Sequence, residues 1–282
     1  MSLRPGRLHG RNCLIVGGTS GIGLATARRF ATAGDRVVNL DIQPPTAPQA
    51  GAEWVRLDVA DWAATAAAVS TVVARHGSLD VAIANAGISI RHGVLEITEA
   101  DARRVINVNL LGVLALWRHA AEHMVRCGSG ILLATASVNG LRGYPRYADY
   151  NATKAGIAAL CRTFALELSP VVRVACVSPG AVLTPMQRVE YTDEMLDAVN
   201  QRIPAGRHAS PEEIAEAFFY LASPAASFFT GQELVIDGGE TAGATTAELS
   251  GPPQLPAGAV PAGAGPGGTV SAGAVSADAG SG

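Results

Sequence analysis

Residues 12–30 read NCLIVGGTSGIGLATARRF, and this stretch decides the fold. It opens with Asn12–Val16, a short apolar run that predicts a buried strand. An amphipathic pattern over Ile22–Ala33 follows and predicts a helix. A glycine-rich loop joins the two, so the stretch predicts a strand–loop–helix unit of an α/β protein.

The loop carries glycines at Gly17, Gly21 and Gly23. Glycine removes the side chain where a backbone must turn tightly and approach a pyrophosphate, and the following helix N-terminus supplies free N–H groups and partial positive charge. On the glycines alone, an ordinary glycine-rich turn remains an equal alternative. The loop therefore predicts dinucleotide binding only together with further residues.

Asp41 supplies that context. It ends the next predicted strand, eighteen positions after Gly23, where a carboxylate can accept both ribose hydroxyls of an adenosine. The loop lacks the Lys-Ser/Thr ending of a phosphate-hydrolysing P-loop, which argues against ATP hydrolysis. The sequence therefore favours NAD as the cofactor.

Short apolar runs alternate with amphipathic stretches along the rest of the chain. This order predicts an α/β fold: one doubly wound Rossmann-type domain with a parallel seven-stranded sheet covered on both faces. The predicted strands are Asn12–Val16, Val37–Asp41, Trp54–Asp58, Leu79–Asn85, Ile131–Ser137, Arg173–Ser178 and Glu233–Ile236. The predicted helices are Ile22–Ala33, Trp62–His76, Glu99–Cys127, Tyr150–Leu168 and Pro211–Leu221.

Composition bounds the class of protein. The chain has 282 residues, 48% of them hydrophobic, which excludes global disorder, and its net charge of −3 argues against a nucleic-acid partner. Four dispersed cysteines indicate reduced thiols in a cytoplasmic protein, and no apolar run reaches the length of about 18 that a membrane span requires. From Gly251 to Gly282, 22 of 32 residues are Gly, Ala or Pro. We therefore expect a folded domain over residues 1–245 and a flexible, disordered tail over 246–282.

Further short motifs follow the glycine loop along the chain. With the loop they are Gly17-x-x-x-Gly21-x-Gly23, Asn85-Ala86-Gly87, Asn109, Ser137, Tyr150-x-x-x-Lys154, Pro179-Gly180 with Thr184, and Asp237-Gly-Gly239. Through these motifs the chain resembles the short-chain dehydrogenase/reductase family over residues 8–243. Two departures are small: Val16 and Ala84 replace a Thr and an Asn that are common in the family.

Tyr150 and Lys154 are four residues apart and share one face of a helix. A neighbouring ammonium favours the phenolate, so we expect Lys154 to lower the pKa of Tyr150 from its usual ~10. The resemblance implies that Tyr150 is the acid/base, that Lys154 tunes it and holds the nicotinamide ribose, that Asn109 positions a water and that Ser137 holds the substrate oxygen. A surface Tyr–Lys pair is the alternative for this motif alone. Tyr147 has no cation four residues on.

The resemblance also implies the cofactor and substrate contacts. Asp58 and Val59 would meet the adenine, although Asp58 could instead cap the next helix. The candidate substrate residues are Ser89, Ser137, Asn139, Tyr144 and Met186, with Arg91, Arg142 and Arg188 as candidates to meet a carboxylate. The candidate cofactor residues are Gly17, Thr19, Ser20, Gly21, Ile22, Gly23, Asp41, Asp58, Val59, Asn85, Ala86, Gly87, Tyr150, Lys154, Pro179, Gly180, Val182 and Thr184.

These residues together predict an NAD(H)-dependent oxidoreductase that acts on a secondary alcohol or ketone. The alternative is a non-catalytic dinucleotide sensor of the same fold, but such a protein would be marked by loss of Tyr150 or Lys154, and both are present. Mixed residues 186–207 would form a lid over the substrate. The resemblance further implies a homotetramer or homodimer, with a small-molecule substrate and no nucleic-acid or membrane partner.

One rival motif predicts different chemistry. His119, Glu122 and His123 fit H-x-x-E-H, the inverted zinc-protease pattern. A polar helix face explains the same residues, and no third ligand is evident nearby in the sequence. We therefore expect no metal site.

Overall fold

The computed structural model describes residues 9–45 and 51–243. In this part of the chain seven parallel strands form one sheet, in the order β3-β2-β1-β4-β5-β6-β7. The predicted fold class is confirmed. The strands are β1 (Asn12–Val16), β2 (Arg36–Asp41), β3 (Ala52–Arg56), β4 (Val81–Ala84), β5 (Gly130–Thr135), β6 (Val172–Pro179) and β7 (Gln232–Ile236).

Helices cover both faces of the sheet. Helices α2, α4 and α5 pack on one face and α1 and α8 on the other. The helices are α1 (Gly21–Thr32), α2 (Trp62–His76), α3 (Glu99–Ile106), α4 (Gly112–Cys127), α5 (Ala148–Leu168), α6 (Pro185–Glu190), α7 (Asp193–Asn200) and α8 (Pro211–Leu221).

Strand β1 shows why the apolar runs are continuous. Leu14 and Val16 face the core under α2, α4 and α5, whereas Cys13 and Ile15 face the core under α1 and α8. Successive side chains of a strand point to opposite faces, so burial of both faces requires apolar residues at every position.

The predicted helix Glu99–Cys127 is divided in the structure. A π-helical segment, Asn107–Leu111, separates α3 from α4. Such a segment holds one extra residue within a turn, and the hydrophobic pattern continues across it. The predicted lid stretch contains two short helices, α6 and α7. Thr184 and Thr192 cap their N-termini, since each side chain accepts a hydrogen bond from a backbone N–H of the first turn.

The order of the strands positions the site. From β1 the chain runs outward to β2 and β3, and it then crosses back to β4 on the other side of β1. A crevice therefore opens at the carboxyl ends of β1 and β4, where the direction of the strand order reverses. None of the helices described is both long and apolar enough to cross a membrane. The chain divides into two units, Met1–Gly243 and Ala244–Gly282, and the predicted tail 246–282 lies outside the described residues.

Candidate active site

The glycine loop is shaped for close backbone approach. Gly17 has φ +80°, and a Cβ added there would lie 2.6 Å from the backbone of Ala86. A Cβ on Gly23 would lie 1.9 Å from the carbonyl oxygen of Gly17. Any side chain at these two positions would push the loop away from β4 or from α1.

The N-terminus of α1 faces the same loop. Its N-cap residue, Ser20, makes no side-chain capping hydrogen bond with any described residue. The first N–H groups of a helix have no partner within the helix, so they and the helix dipole favour an anion. Loop and helix therefore fit the pyrophosphate of a dinucleotide.

A cavity of about 730 Å³ lies over the carboxyl ends of the strands. Thirteen of the predicted cofactor residues line it, as does the predicted substrate residue Met186. The cofactor residues that line the cavity are Gly17, Ser20, Gly21, Ile22, Asp41, Asp58, Val59, Asn85, Ala86, Gly87, Tyr150, Lys154 and Thr184.

Asp41 enters this cavity at the end of β2. One carboxylate oxygen accepts a 2.6 Å hydrogen bond from the Thr19 hydroxyl, and the other accepts a bond from the Gln43 backbone N–H at 3.1 Å. A carboxylate has about four acceptor positions, so capacity remains for a ribose hydroxyl. Thr19 does not line the cavity itself but holds Asp41 in place.

Asn85 joins the strands beneath the cavity. Its Nδ2 donates to the carbonyl of Gly17 at 2.9 Å, and its Oδ1 accepts from the Thr135 hydroxyl at 2.8 Å. The side chain thus ties the glycine loop of β1 to the end of β5. Asp58 accepts a hydrogen bond from the Ala60 backbone N–H and lines the cavity, while Asp61 is the residue that caps α2.

Lys154 reaches the cavity from α5. It is only 3% exposed, and its Nζ donates a 2.7 Å hydrogen bond to the carbonyl of Thr135. The same nitrogen lies 5.4 Å from the ring centroid of Tyr150. Burial lowers the pKa of Lys154 from 10.5 to about 8, because a low-dielectric surrounding disfavours the charged form.

Tyr150 lies one helical turn before Lys154. Its pKa is raised from 10.0 to about 12, chiefly by burial; a hydrogen bond with Ser137 lowers the pKa and the nearby Glu190 carboxylate raises it. The expected net lowering by Lys154 is therefore not seen, because loss of solvent around the phenol dominates. Ser137 is the hydroxyl that favours the phenolate in this arrangement.

Ser137 lies beside the phenol of Tyr150, and Asn139 contacts Ser137. Asn139 Nδ2 donates to Asn151 Oδ1 at 2.8 Å, and its backbone N–H donates to Ser137 Oγ at 3.2 Å. This network fixes the Ser137 hydroxyl next to Tyr150, although neither Ser137 nor Asn139 lines the cavity.

Asn109 lies in the π-helical segment and is fully buried. Its Oδ1 accepts from the Ile88 N–H and its Nδ2 donates to the Ile88 carbonyl, both at 2.8 Å. The amide therefore holds the loop after Asn85-Ala-Gly87, and its expected role with a water remains a prediction.

The remaining predicted residues lie around the cavity without lining it. A Cβ on Gly180 would meet Asp237, and Val182 pairs with Ala209 in an isolated bridge. The Tyr144 hydroxyl donates to Glu240 at 2.5 Å, and Arg142 also bonds Glu240. Predicted site residues outside the lining are Thr19, Gly23, Ser89, Asn109, Ser137, Asn139, Tyr144, Pro179, Gly180 and Val182.

Sequence reasoning missed Tyr147 and Glu190, two polar residues near Tyr150. The Tyr147 ring lies 6.1 Å from the Tyr150 ring, and its hydroxyl donates to Glu190 at 2.8 Å. The Ser89 hydroxyl donates to the other oxygen of Glu190. The signal available was the spacing of Tyr147 and Tyr150, which places both on adjoining turns at the start of α5. Arg103 and Arg104 of α3 also line the cavity and were not predicted.

The rival zinc motif is engaged in other contacts. Glu122 forms ion pairs with Arg118 and Arg126, and His123 Nδ1 lies 3.0 Å from Arg126 Nη2. Within residues 9–45 and 51–243 no group of three or more His, Cys, Asp or Glu side chains could hold a metal ion.

Known proteins share both sequence and fold with this chain. Residues 16–241 match the family described as enoyl-(acyl carrier protein) reductase. The cis-4-hydroxycyclohexanecarboxylate dehydrogenase of Sinomonas cyclohexanicum is 40% identical over 242 residues, covering 82% of this chain and 97% of that protein. The 3-oxoacyl-(acyl-carrier-protein) reductase of Thermotoga maritima is 36% identical over 243 residues, covering 83% and 98%.

A solved structure extends the comparison to three dimensions. A gluconate 5-dehydrogenase from Burkholderia cenocepacia, in complex with NADP and tartrate, has a TM-score of 0.79 and 31% identity, covering 86% of this chain and 100% of that one. These similarities confirm the resemblance that the motifs carry. The chain belongs to the short-chain dehydrogenase/reductase family and is an oxidoreductase.

Proposed function

We propose that the protein uses NAD(H) to interconvert a secondary alcohol and a ketone, with Tyr150 as the acid/base. One observation carries the proposal: Tyr150 and Lys154 line the same cavity as the glycine loop and Asp41. A chance Tyr–Lys pair on a solvated helix face would not combine with a phosphate loop in this way.

The residues fit the cofactor at three places. The glycine loop and the N-terminus of α1 would hold the pyrophosphate, Asp41 the adenosine ribose and Lys154 the nicotinamide ribose. When bound, the nicotinamide ring supplies the hydride acceptor for alcohol oxidation and the donor for ketone reduction. The chain supplies the proton chemistry and the orientation.

Tyr150 moves the proton at its phenolic oxygen. In oxidation the phenolate takes the hydroxyl proton of the alcohol while the carbinol C–H leaves as hydride; in reduction the phenol returns the proton to the ketone oxygen. Ser137 donates a hydrogen bond that holds this oxygen and favours the phenolate. Lys154, when protonated, stabilises the phenolate charge, since its Nζ lies 5.4 Å from the centroid of the Tyr150 ring.

Asp41 supports NAD over NADP. A 2′-phosphate beside this carboxylate would meet like charge, whereas a 2′-hydroxyl would donate a hydrogen bond to it. Arg29 pairs with Glu216, and Arg36 donates to Asn12, so both are engaged. Two cations, Arg103 and Arg104 of α3, also line the cavity. The structure of the gluconate 5-dehydrogenase contains NADP, so the test of this proposal compares NAD with NADP directly.

The substrate class and setting complete the proposal. The relatives are named for cyclic hydroxy acids and acyl ketones, and a secondary alcohol or ketone is the group that these names share. We propose a small-molecule substrate, a cytoplasmic location and a homotetramer or homodimer, the last two chiefly from the family resemblance.

NADH absorbance with a panel of alcohols and ketones tests the proposal. The panel includes cyclohexanol, 4-hydroxycyclohexanecarboxylate, a hydroxysteroid, a 3-oxoacyl thioester and their redox partners. We expect turnover with at least one pair, with NAD favoured over NADP. NADH binding without turnover on any member would instead support the non-catalytic sensor.

A further inference from the structure

A carboxylate faces the catalytic tyrosine from the lid helix. Glu190 is the last residue of α6, and its two oxygens accept hydrogen bonds from the hydroxyls of Ser89 and Tyr147. These two donors come from different parts of the fold, one after β4 and the other at the start of α5. Together the three residues form a polar cluster, Ser89–Tyr147–Glu190, beside Tyr150.

Two independent observations place this cluster next to the reacting phenol. The rings of Tyr147 and Tyr150 are 6.1 Å apart at 60°. The charge of Glu190 also raises the pKa of Tyr150, so its field reaches the phenolic oxygen. Glu190 therefore lies close enough to act on a substrate whose oxygen bonds to Tyr150 and Ser137.

The cluster presents acceptors rather than donors to such a substrate. Ser89 and Tyr147 already direct their O–H groups at Glu190, whereas an ionised carboxylate retains about two further acceptor positions. A substrate hydroxyl would find an acceptor here. A substrate carboxylate would find like charge and donors that are already used.

Two of the three arginines predicted to meet a substrate carboxylate are engaged away from this cluster. Arg142 bonds the backbone carbonyl of Glu240 and lies 4.0 Å from its carboxylate. Arg188 lines a separate cavity with Asp193 and Asp197. Arg91 lies nearer the cluster, because it stacks 5.1 Å from the centroid of the Tyr191 ring, whose hydroxyl lies 3.3 Å from that of Tyr147. Its side chain is exposed, however, so solvent screens its charge.

We infer that Glu190 selects neutral substrates that carry a second hydroxyl near the reacting carbon, such as diols or hydroxyketones, over substrates that carry a carboxylate there. The inference rests on the proposed function. It separates this protein from its relative named for a hydroxycyclohexanecarboxylate, although the two share the family fold.

Steady-state kinetics with three matched alcohols test the selection. The probes are cyclohexanol, cyclohexane-1,3-diol and 3-hydroxycyclohexanecarboxylate, assayed with NAD and the parent, Glu190→Gln, Glu190→Asp and Glu194→Gln proteins. In the parent, kcat/KM for the diol should exceed that for the carboxylate by about tenfold or more. In Glu190→Gln, the ratio of kcat/KM for the carboxylate to that for cyclohexanol should rise about tenfold.

The variants separate charge from contact. Glu190→Asp keeps the charge and should keep the low ratio, and Glu194→Gln, an exposed carboxylate on α7, should match the parent. A parent that prefers the carboxylate, or a Glu190→Gln protein that changes all three substrates by the same factor, would overturn the inference. The latter result would mark Glu190 as a latch of the lid alone.

A binding readout keeps this test separate from that of the proposed function. Ligand-observed NMR titrations compare cyclohexane-1,3-diol with cyclohexanecarboxylate on the parent and on Glu190→Gln, with and without NADH, and need no turnover. Stronger binding of the diol, lost in Glu190→Gln, supports the inference even if no alcohol is oxidised. Equal binding of both ligands to the parent contradicts it, whatever the kinetics show.

Discussion

Lys154 donates its hydrogen bond to the carbonyl of Thr135, at 2.7 Å, rather than to the phenol of Tyr150. The bond fixes the ammonium at the end of β5, 5.4 Å from the Tyr150 ring. The end of β5, which lines the cavity at Thr135, therefore also positions the ammonium of Lys154. The ammonium is thus held by the strand carbonyl, and the hydroxyl that lowers the pKa of Tyr150 is that of Ser137.

Replacing the phenolic hydroxyl should remove catalysis and little else. We expect Tyr150→Phe to retain the fold and NADH affinity but to lose kcat by about 10³-fold, since general acid–base catalysis contributes on this scale. Stopped-assay turnover and NADH fluorescence titration measure the two properties. Tyr220→Phe, on the exposed side of α8, is the matched control and should resemble the parent. Turnover of Tyr150→Phe within a few-fold of the parent would assign the proton transfer to another group.

The carboxylate of Asp41 should decide the cofactor. We expect the parent to favour NAD over NADP in kcat/KM by at least about tenfold, because a charged hydrogen bond would be replaced by repulsion. Asp41→Ala should narrow the gap chiefly by improving NADP. Thr19→Val removes the hydroxyl that bonds Asp41 but leaves the carboxylate, and should preserve the preference for NAD. Equal use of both cofactors by the parent would contradict the role of Asp41.

A methyl group on Gly23 should disrupt the loop. The added Cβ would lie 1.9 Å from the carbonyl oxygen of Gly17, so the loop or α1 must shift. We expect Gly23→Ala to lower the free energy of unfolding by about 1–3 kcal/mol and to weaken NADH binding. Gly143→Ala is the matched control, since no atom lies within 4 Å of its added Cβ. Urea unfolding and NADH titration measure both effects, and a Gly23→Ala protein equal to this control would refute the close packing.

Burial of Lys154 should make stability depend on pH. Its folded pKa of about 8 lies below the ordinary 10.5, so between these values the unfolded chain binds more protons and stability rises with pH. From pH 8 to 10 the parent should gain about 2 kcal/mol relative to Lys154→Met, which has no ammonium to bury. Urea unfolding of both proteins at each pH gives the difference, in which the other titrating groups cancel. A constant difference would mean that Lys154 keeps an ordinary pKa.

The central strands could be predicted from sequence because their residues are buried on both faces of the sheet, whereas the edge strands β3 and β7 are partly exposed. Strand β1 has the predicted bounds, and β7 begins one residue earlier than predicted. Continuous apolar runs reveal such strands, since each position must face one core or the other. The places of the glycine loop after β1 and of Asp41 at the end of β2 were likewise readable, because each follows an apolar run directly in the sequence.

The contacts around Tyr150 could not be predicted in the same way. The pairing of Glu190 with Ser89 joins residues 101 positions apart, and no local pattern encodes it. The pKa of Tyr150 is raised mainly because neighbouring elements exclude solvent from its phenol. The four-residue spacing to Lys154 indicates only that one cation lies nearby, and it carries no information about burial. The capped starts of α6 and α7 were readable at Thr184 and Thr192, but short helices give too little hydrophobic periodicity to stand out from a mixed loop.

The π-helical segment Asn107–Leu111 holds one residue more than a regular helix needs to join α3 to α4. Each residue of an α-helix turns the chain by about 100°, so deleting one residue within α4 would rotate α3 by that angle about the common axis. Arg103 and Arg104, which line the cavity from α3, would then leave its wall. Deleting one residue from the π-helical segment would instead restore a regular helix and leave α3 close to its present rotation. The chain length of this joint should therefore tolerate a single-residue deletion, other than at Asn109, better than the regular turns on either side of it.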